Sequence, residues 1–326
     1  MRAITVENPG PASVLRYSEV PDPIPRAHDV IVRVRAAGVN RADLRFRQGD
    51  YGNASWGDSN LIGLEVAGDI VYVDALADAW RVGDRVMSIV GGGGYAQLAR
   101  VDSRMLMRIP DSLGYVDAAA IPEAFITANE AVCHLGDLAP GERLLIHAAA
   151  SGIGTAAIQL ARVIDAQITA TASATKLDSL RALGVDLCID RCNEDFESLT
   201  RSFSNGLGMD VIIDFVGAPY LQRNLRALAD GGRLVLAGLL GGIDNASIPI
   251  ERFILGHLKM FGTVMKSRTL EEKCEMTKRF SDRWLPAFDT GLLRPVVDSV
   301  HPVFAAEEAH RRIAANKSFG KIILEI

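Results

Sequence analysis

Aromatic residues make up only 6% of the 326 residues, and no basic cluster is interleaved with them. A stacking platform for single-stranded nucleic acid is therefore not indicated. Positive charge is short as well. The net charge of −5 leaves no basic surface for duplex nucleic acid or an anionic membrane. Cysteine is scarce: Cys133, Cys188, Cys192 and Cys274 contain no C-x-x-C pair, so no disulfide framework is indicated. Reduced and mostly buried thiols in a cytoplasmic protein are expected. The first residues, "MRAITVENPGP", carry Glu7, Pro9 and Pro11 where a signal peptide has its apolar core. One uncharged run, Leu144–Ala161, approaches the length of a short membrane helix. His147, Ser151, Gln159 and two glycines divide it instead into strand, turn and helix, so no membrane span is expected.

What is present is an ordinary globular composition, 48% hydrophobic and 23% charged, in a chain longer than one core needs. Two domains are expected. The first 120 residues are β-rich: "DVIVRVRAAG" alternates Val30, Val32 and Val34 with Arg33 and Arg35, the period of a half-buried strand. "LEVAGDIVYV", "DRVMSIV" and "YAQLARV" follow, and Asn40–Gln48 reads as a short helix. Around Pro122 the chain becomes helical. From Glu142 onward six strands, "RLLIHA", "QITATA", "DLCID", "DVIIDF", "RLVLAG" and "KMFGTV", alternate with helices. That alternation implies an α/β, doubly wound, parallel sheet. A polar helix from about Leu270, a second at Ala305–Asn316 and the strand "KIILEI" close the chain. A βα array between a β-rich start and a final strand suggests that the chain returns to its first domain.

"HAAASGIG" (His147–Gly154) sits between the first of these strands and an amphipathic helix with Ile153, Ala156, Ala157, Leu160, Ala161 and Ile164 on one stripe. The dinucleotide pattern G-x-G-x-x-G becomes Ala149-x-Ser151-x-x-Gly154. Only small residues stand where backbone must approach a ligand, and unpaired N–H groups at a helix start suit a pyrophosphate. Ala150, Ser151, Gly152, Ile153 and Gly154 are the candidate phosphate contacts. The plainer reading is a strand-to-helix turn with no ligand. The context of repeated βα units strengthens the nucleotide reading.

The second strand ends in "TATASATK" with no acid before Asp178. An NAD site usually places a carboxylate there for the ribose hydroxyls, and that carboxylate would repel a 2′-phosphate. Ser173 and Lys176 would donate to such a phosphate instead, with Arg191 as a further ligand. NADPH is the expected cofactor. The plainer reading of Lys176 and Arg191 is solvated surface charge.

At this point the chain resembles the medium-chain dehydrogenase/reductase superfamily, in its zinc-independent quinone oxidoreductase (zeta-crystallin-like) branch. The resemblance runs through "AAGVNRADLRFRQGDY", "GLEVAG", "VGDRVM", "GGYAQ", "AAAIPEAFITA", "HAAASGIGTAAIQLA", "GGRLVLAGLLGG" and "ANKSFGKIILEI", in family order over nearly the whole chain. It implies a GroES-like catalytic domain over residues 1–120, a Rossmann domain over 121–266 and a C-terminal return over 267–326. Zinc relatives carry a cysteine where Asn40 stands and a histidine where Leu64 stands. The six histidines are scattered without ligand spacing, so no metal is expected. The chemistry implied is direct hydride transfer to a quinone or activated alkene, whose charge delocalises without a Lewis acid.

The resemblance places Asn40, Asp43 and Tyr51 beside the substrate. Asn40 would hydrogen-bond an acceptor carbonyl, and Tyr51 would stack on a flat ring or donate its hydroxyl. Asn40-x-x-Asp43 at a helix start is equally a capping box, and Tyr51 equally a surface aromatic. The resemblance also places Thr127 near the nicotinamide ribose. Phe215, Val216 and Gly238, Leu239, Leu240 end the fourth and fifth strands, and Asn316 closes over the cofactor. Core packing is the plainer reading of the apolar ones. The sixth strand is an open edge, where the family pairs into homodimers. Three functions are weighed: an NADPH-dependent quinone reductase, an enal, enone or enoyl-thioester reductase, and a non-enzymatic NADPH-binding redox sensor. Thioesters would call for a basic patch, but Arg41, Arg45 and Arg47 are expected to scatter around the surface of their helix.

Overall fold

The computed structural model describes residues 1–50 and 61–326; Tyr51 lies outside them. The chain divides into two compact units, Met1–Ile126 together with Lys266–Ile326, and Thr127–Met265. It is an α/β protein in which a Rossmann sheet is inserted into a β-rich GroES-like domain.

In the first unit the strand Asp29–Val39 is the organising element. It pairs antiparallel with Glu65–Val73, Leu98–Asp102 and Lys321–Glu325. Val30, Val32 and Val34 are buried while Arg33 and Arg35 face out, as the period of two requires. The C-terminal strand sets Ile322 opposite Val39 and Leu324 opposite Ala37. Ile4, Tyr95, Val39, Val303, Ile322 and Leu324 then share one buried cluster. Removing such side chains from water stabilises by about 1.5–3 kcal/mol each, so the unit is closed by segments from both ends of the chain. The helix Leu270–Asp289 opens with a capping box. Thr269 Oγ1 accepts from the Glu272 N–H, and the Glu272 carboxylate accepts from the Thr269 N–H. Its buried face carries Met276, Phe280, Trp284 and Phe288.

In the second unit six strands form one parallel sheet in the order Leu187–Asp190, Gln167–Ala172, Arg143–Ile146, Met209–Asp214, Leu228–Leu236, Lys259–Gly262. The order reverses beside Arg143–Ile146, the switch point outside which such sheets bind ligands. Helix Gly152–Ile164 buries Ala156, Ala157, Leu160 and Ala161. The cysteines depart from expectation: Cys133, Cys188 and Cys274 are half-buried and Cys192 is exposed. Cys192 follows the last residue of the third strand by two positions, in a turn that packs no side chain inward at that point. No helix of the described residues is long and apolar enough to cross a membrane.

Candidate functional site

In the second unit the strand Arg143–Ile146 runs straight into the loop Ala148–Ser151. The His147 N–H donates to Ile213 O at 3.0 Å and the Ala149 N–H to Thr171 O at 3.1 Å. Both neighbouring strands thus hold the loop. Ser151 caps the helix, its Oγ accepting from the Gly154 N–H at 3.0 Å. The first intrahelical bond runs from the Thr155 N–H to Ser151 O, so the N–H groups of Gly152 and Ile153 precede any helical acceptor. They lie at the positive end of the helix dipole. The Ser151 hydroxyl, although it accepts, keeps its own proton to donate. Gly154 is required for the close fit: a Cβ there would lie 2.6 Å from the Ala149 carbonyl carbon. Backbone donors walled by small side chains fit a dinucleotide pyrophosphate.

The second strand ends at Ala172, and Ser173 leads into the 3-10 turn Ala174–Lys176. The Arg191 N–H donates to Ala172 O at 2.9 Å, which brings the exposed Arg191 alongside half-buried Ser173. The first acid beyond the strand, Asp178, is paired with Arg181. Two further loops meet each other, since the Leu240 N–H donates to Phe215 O at 3.0 Å and the Gly241 N–H to Val216 O at 2.8 Å. Gly238 permits this approach, because a Cβ there would stand 2.8 Å from Phe215 O. Phe215 is buried, Val216 half-buried, and Leu239 and Leu240 are exposed. Thr127 is half-buried on the helix Pro122–Asn129.

In the first unit Asn40 is the N-cap of the helix Arg41–Gln48, and Gly49 ends it at φ 82°. The Asp43 carboxylate accepts from the Asn40 N–H at 2.7 Å and from the Tyr95 hydroxyl at 2.8 Å. Its other oxygen is buried without a partner among the described residues. Burial pushes the Asp43 carboxyl up to about 7, against the pull of those two donors. Asp43 is fully enclosed, so its carboxyl meets Asn40 and Tyr95 rather than solvent. The Asn40 amide is half-exposed and held by two charges. Its Nδ2 donates to Glu65 Oε1 at 2.8 Å, and its Oδ1 accepts from Lys321 Nζ at 2.6 Å. Gly38 leaves room for that carboxylate, because a side chain there would overlap Glu65 Oε1.

Glu65 also accepts from the Glu123 N–H at 2.9 Å. The Glu123 carboxyl is itself pushed up to about 8, by burial first and by Glu65 second. Arg47 corrects an expectation. It is buried, donating to Gly10 O at 3.0 Å and lying 3.3 Å from His310, because the loop at Gly10 and the helix Ala306–Ala314 close over that side of its helix. Arg41 is drawn inward too, to Ile313 O and Asn316 Oδ1 at 2.7 Å. Asn316 therefore offers the Nδ2 end of its amide. Among the described residues no group of three or more His, Cys, Asp or Glu could hold a metal ion.

Sequence reasoning passed over Glu65, Tyr95, Lys321, Asn224 and Asp214. A signal existed for two of them. Glu65 stands alone between Leu64 and Val66, and Asp214 ends the apolar run "VIID"; a lone charge in a buried strand requires a partner.

Comparison with known proteins bears on both units. Residues 26–111 match the alcohol dehydrogenase GroES-like domain and residues 152–281 the zinc-binding dehydrogenase domain. Human quinone oxidoreductase is 30% identical over 328 residues, covering 99% of this chain and 97% of that protein. The pikromycin polyketide synthase component PikAII of Streptomyces venezuelae is 33% identical over 319 residues. The match covers 97% of this chain but only 8% of that polypeptide. Among solved structures, an NAD-dependent alcohol dehydrogenase has a TM-score of 0.89 at 29% identity, covering 100% of both chains. The CurK enoyl reductase has 0.88 at 26%, covering 99% of this chain and 98% of that one. The mycobacterial protein Rv1454c, complexed with NADPH, has 0.89 at 25%, covering 100% of both.

Proposed function

The chain belongs to the medium-chain dehydrogenase/reductase superfamily, and from that premise we propose that it is an NADPH-dependent quinone reductase. The observation that carries the reading is the match to human quinone oxidoreductase along the whole of both chains. When bound, NADPH supplies a hydride at the nicotinamide C4. Taken up with one proton from water, that hydride converts a quinone to its hydroquinone, so electrons and protons balance.

The protein's share is binding and orientation. Gly152, Ile153 and the Ser151 hydroxyl hold the pyrophosphate, while Ser173, Lys176 and Arg191 take the 2′-phosphate. Phe215, Val216, Gly238, Leu239 and Leu240 line the nicotinamide end, with Thr127 at its ribose; Asn316 is a proposed cofactor residue from the family resemblance alone. Asn40 Nδ2 would exchange its long 3.4 Å contact with Gly38 O, keeping Glu65, to donate to the acceptor carbonyl, where negative charge develops. Asp43 holds the Asn40 backbone in place; Tyr51, outside the described residues, is a proposed substrate residue from the family resemblance alone. The cytoplasm is the proposed location, and residues 1–120, 121–266 and 267–326 are the proposed domain limits.

A homodimer is proposed as well. Lys259–Gly262 ends the sheet with one neighbour strand, and Ile250, Ile254 and Leu255 beside it are 60%, 62% and 68% exposed.

The similarity to the CurK enoyl reductase favours a second reading, reduction of an enone or enoyl thioester. The deciding experiment follows NADPH and NADH oxidation in parallel against ortho- and para-quinones, an enal and an enoyl thioester. Rapid NADPH oxidation with a quinone supports the proposal. Activity confined to the alkenes replaces it with the second reading. Tight NADPH binding with no acceptor overturns both in favour of a redox sensor.

A further inference from the structure

Beneath the phosphate loop lies a chain of four buried polar side chains that the reaction itself does not use. Thr171 Oγ1 is 2.9 Å from His147 Nδ1, His147 Nε2 is 2.8 Å from Asn224 Oδ1, and Asn224 Nδ2 is 3.0 Å from Asp214 Oδ2. Three of the four are wholly enclosed and Thr171 is 1% exposed. An unmade bond here would leave a desolvated polar group without a partner. The imidazole is also gripped edge to face by Phe196 and Tyr220, with centroids at 4.7 and 4.8 Å.

The direction of every bond follows from one end. The Asp214 carboxylate accepts from the Val216 N–H at 2.6 Å and from the Gly217 N–H, so as an ionised group it can only accept from Asn224 too. Asn224 therefore presents Nδ2 to Asp214 and Oδ1 to His147. An amide oxygen needs a donor, so His147 carries its proton on Nε2. Its bare Nδ1 then takes the Thr171 hydroxyl proton. Burial holds His147 neutral, its pKa lowered to about 4, as this pattern requires.

The chain connects the two loops assigned to the cofactor. At one side His147 immediately precedes Ala148–Ser151, and the Thr171 carbonyl accepts from the Ala149 N–H of that loop. Asp214 folds the Phe215–Gly217 turn onto its own carboxylate, and Asn224 comes from the helix Ala218–Ala227 that follows. Gly217 sits at φ 93° and ψ −137°, a conformation that side chains resist and that the carboxylate helps to hold. We propose that Thr171, His147, Asn224 and Asp214 form a directed hydrogen-bond relay that sets the phosphate loop and the Phe215–Gly217 turn in register for NADPH. They are positioning residues rather than catalytic ones. The inference rests on the cofactor reading above.

The test uses Asp214→Asn in the full chain. Its new amide would place an N–H against Asn224 Nδ2, so Asn224 must flip and His147 must move its proton to Nδ1. Nitrogen-15 NMR of the imidazoles, with His147→Asn to assign the signal, should show Nε2–H in the wild type and Nδ1–H in the variant. A purely space-filling role moves neither. Thr171→Val should keep Nε2–H while leaving Nδ1 unpaired, and Thr171→Ser should restore the wild-type behaviour. Loosening one loop residue should lower NADPH affinity about tenfold in Asp214→Asn and Thr171→Val. The loss should appear in KM for NADPH more than in kcat. An unchanged tautomer in Asp214→Asn, or wild-type NADPH affinity in both variants, overturns the relay. Failure of the wild type itself to bind NADPH overturns the cofactor reading instead, while the tautomer result still stands or falls by itself.

Discussion

The ammonium of Lys321 and the carboxylate of Glu65 meet in the interior of the first unit, their side chains 5% and 0% exposed. The Lys321 ammonium has three protons and three acceptors, Glu65 Oε1, Asn40 Oδ1 and Val39 O. Between them the two charges leave Asn40 one amide orientation, oxygen toward the cation and nitrogen toward the anion.

Removing one partner of that pair strands the other charge. Lys321→Met should lower stability in urea unfolding by about 3–5 kcal/mol, and Glu65→Gln with Lys321→Met should recover most of the loss. A single variant as stable as the wild type, or a double variant no better than the single, would count against the pair as described.

Two groups of buried residues respond to pH in opposite directions. His310 is lowered to about 3, by burial and then by Arg47. The stability that depends on its neutrality is present above the unfolded value of about 6.5 and is lost as pH falls toward the folded one. Asp43, raised to about 7, costs stability as pH rises from about 4 to 7. The destabilisation caused by His310→Asn should therefore shrink between about pH 7.5 and pH 5, while that of Asp43→Asn should grow over the same range. Thermal unfolding of each variant beside the wild type reads both, and parallel curves would refute the assignments.

Cofactor choice should turn on the end of the second strand. Arg191→Ala should raise KM for NADPH about tenfold or more, the worth of a charge-assisted hydrogen bond, with little effect on NADH. Ser173→Asp places a carboxylate beside the 2′-phosphate and should shift preference toward NADH. Initial rates with both nucleotides decide this, and equal losses with each would sink the assignment.

The edge strand offers a test of assembly. Ile254→Asp with Met260→Lys puts charge on an apolar strip that a partner sheet would cover. Sedimentation equilibrium should show a dimer for the wild type and a monomer for the variant. A wild-type monomer would end the proposal.

Much of the architecture was legible in the chain itself. The alternation of Val30, Val32 and Val34 with Arg33 and Arg35, and the apolar stripe of Gly152–Ile164, are local periodicities. Local periodicity is what backbone geometry imposes on sequence. The strand–loop–helix at His147–Gly154 was visible for the same reason, since its parts are neighbours in the chain. The surroundings of Asn40 were not. Lys321 reaches Glu65 across 256 positions and Asn40 across 281, and only the pairing of the last strand with Asp29–Val39 brings them together. His147 is likewise 24 positions from Thr171 and 77 from Asn224, so it read as one scattered histidine. Sequence by itself determined the elements, their order and the strand–loop–helix at His147–Gly154, because those follow from spacing along one chain. Tertiary structure alone decided which buried charges and amides face one another, because that depends on strand register between segments far apart in sequence.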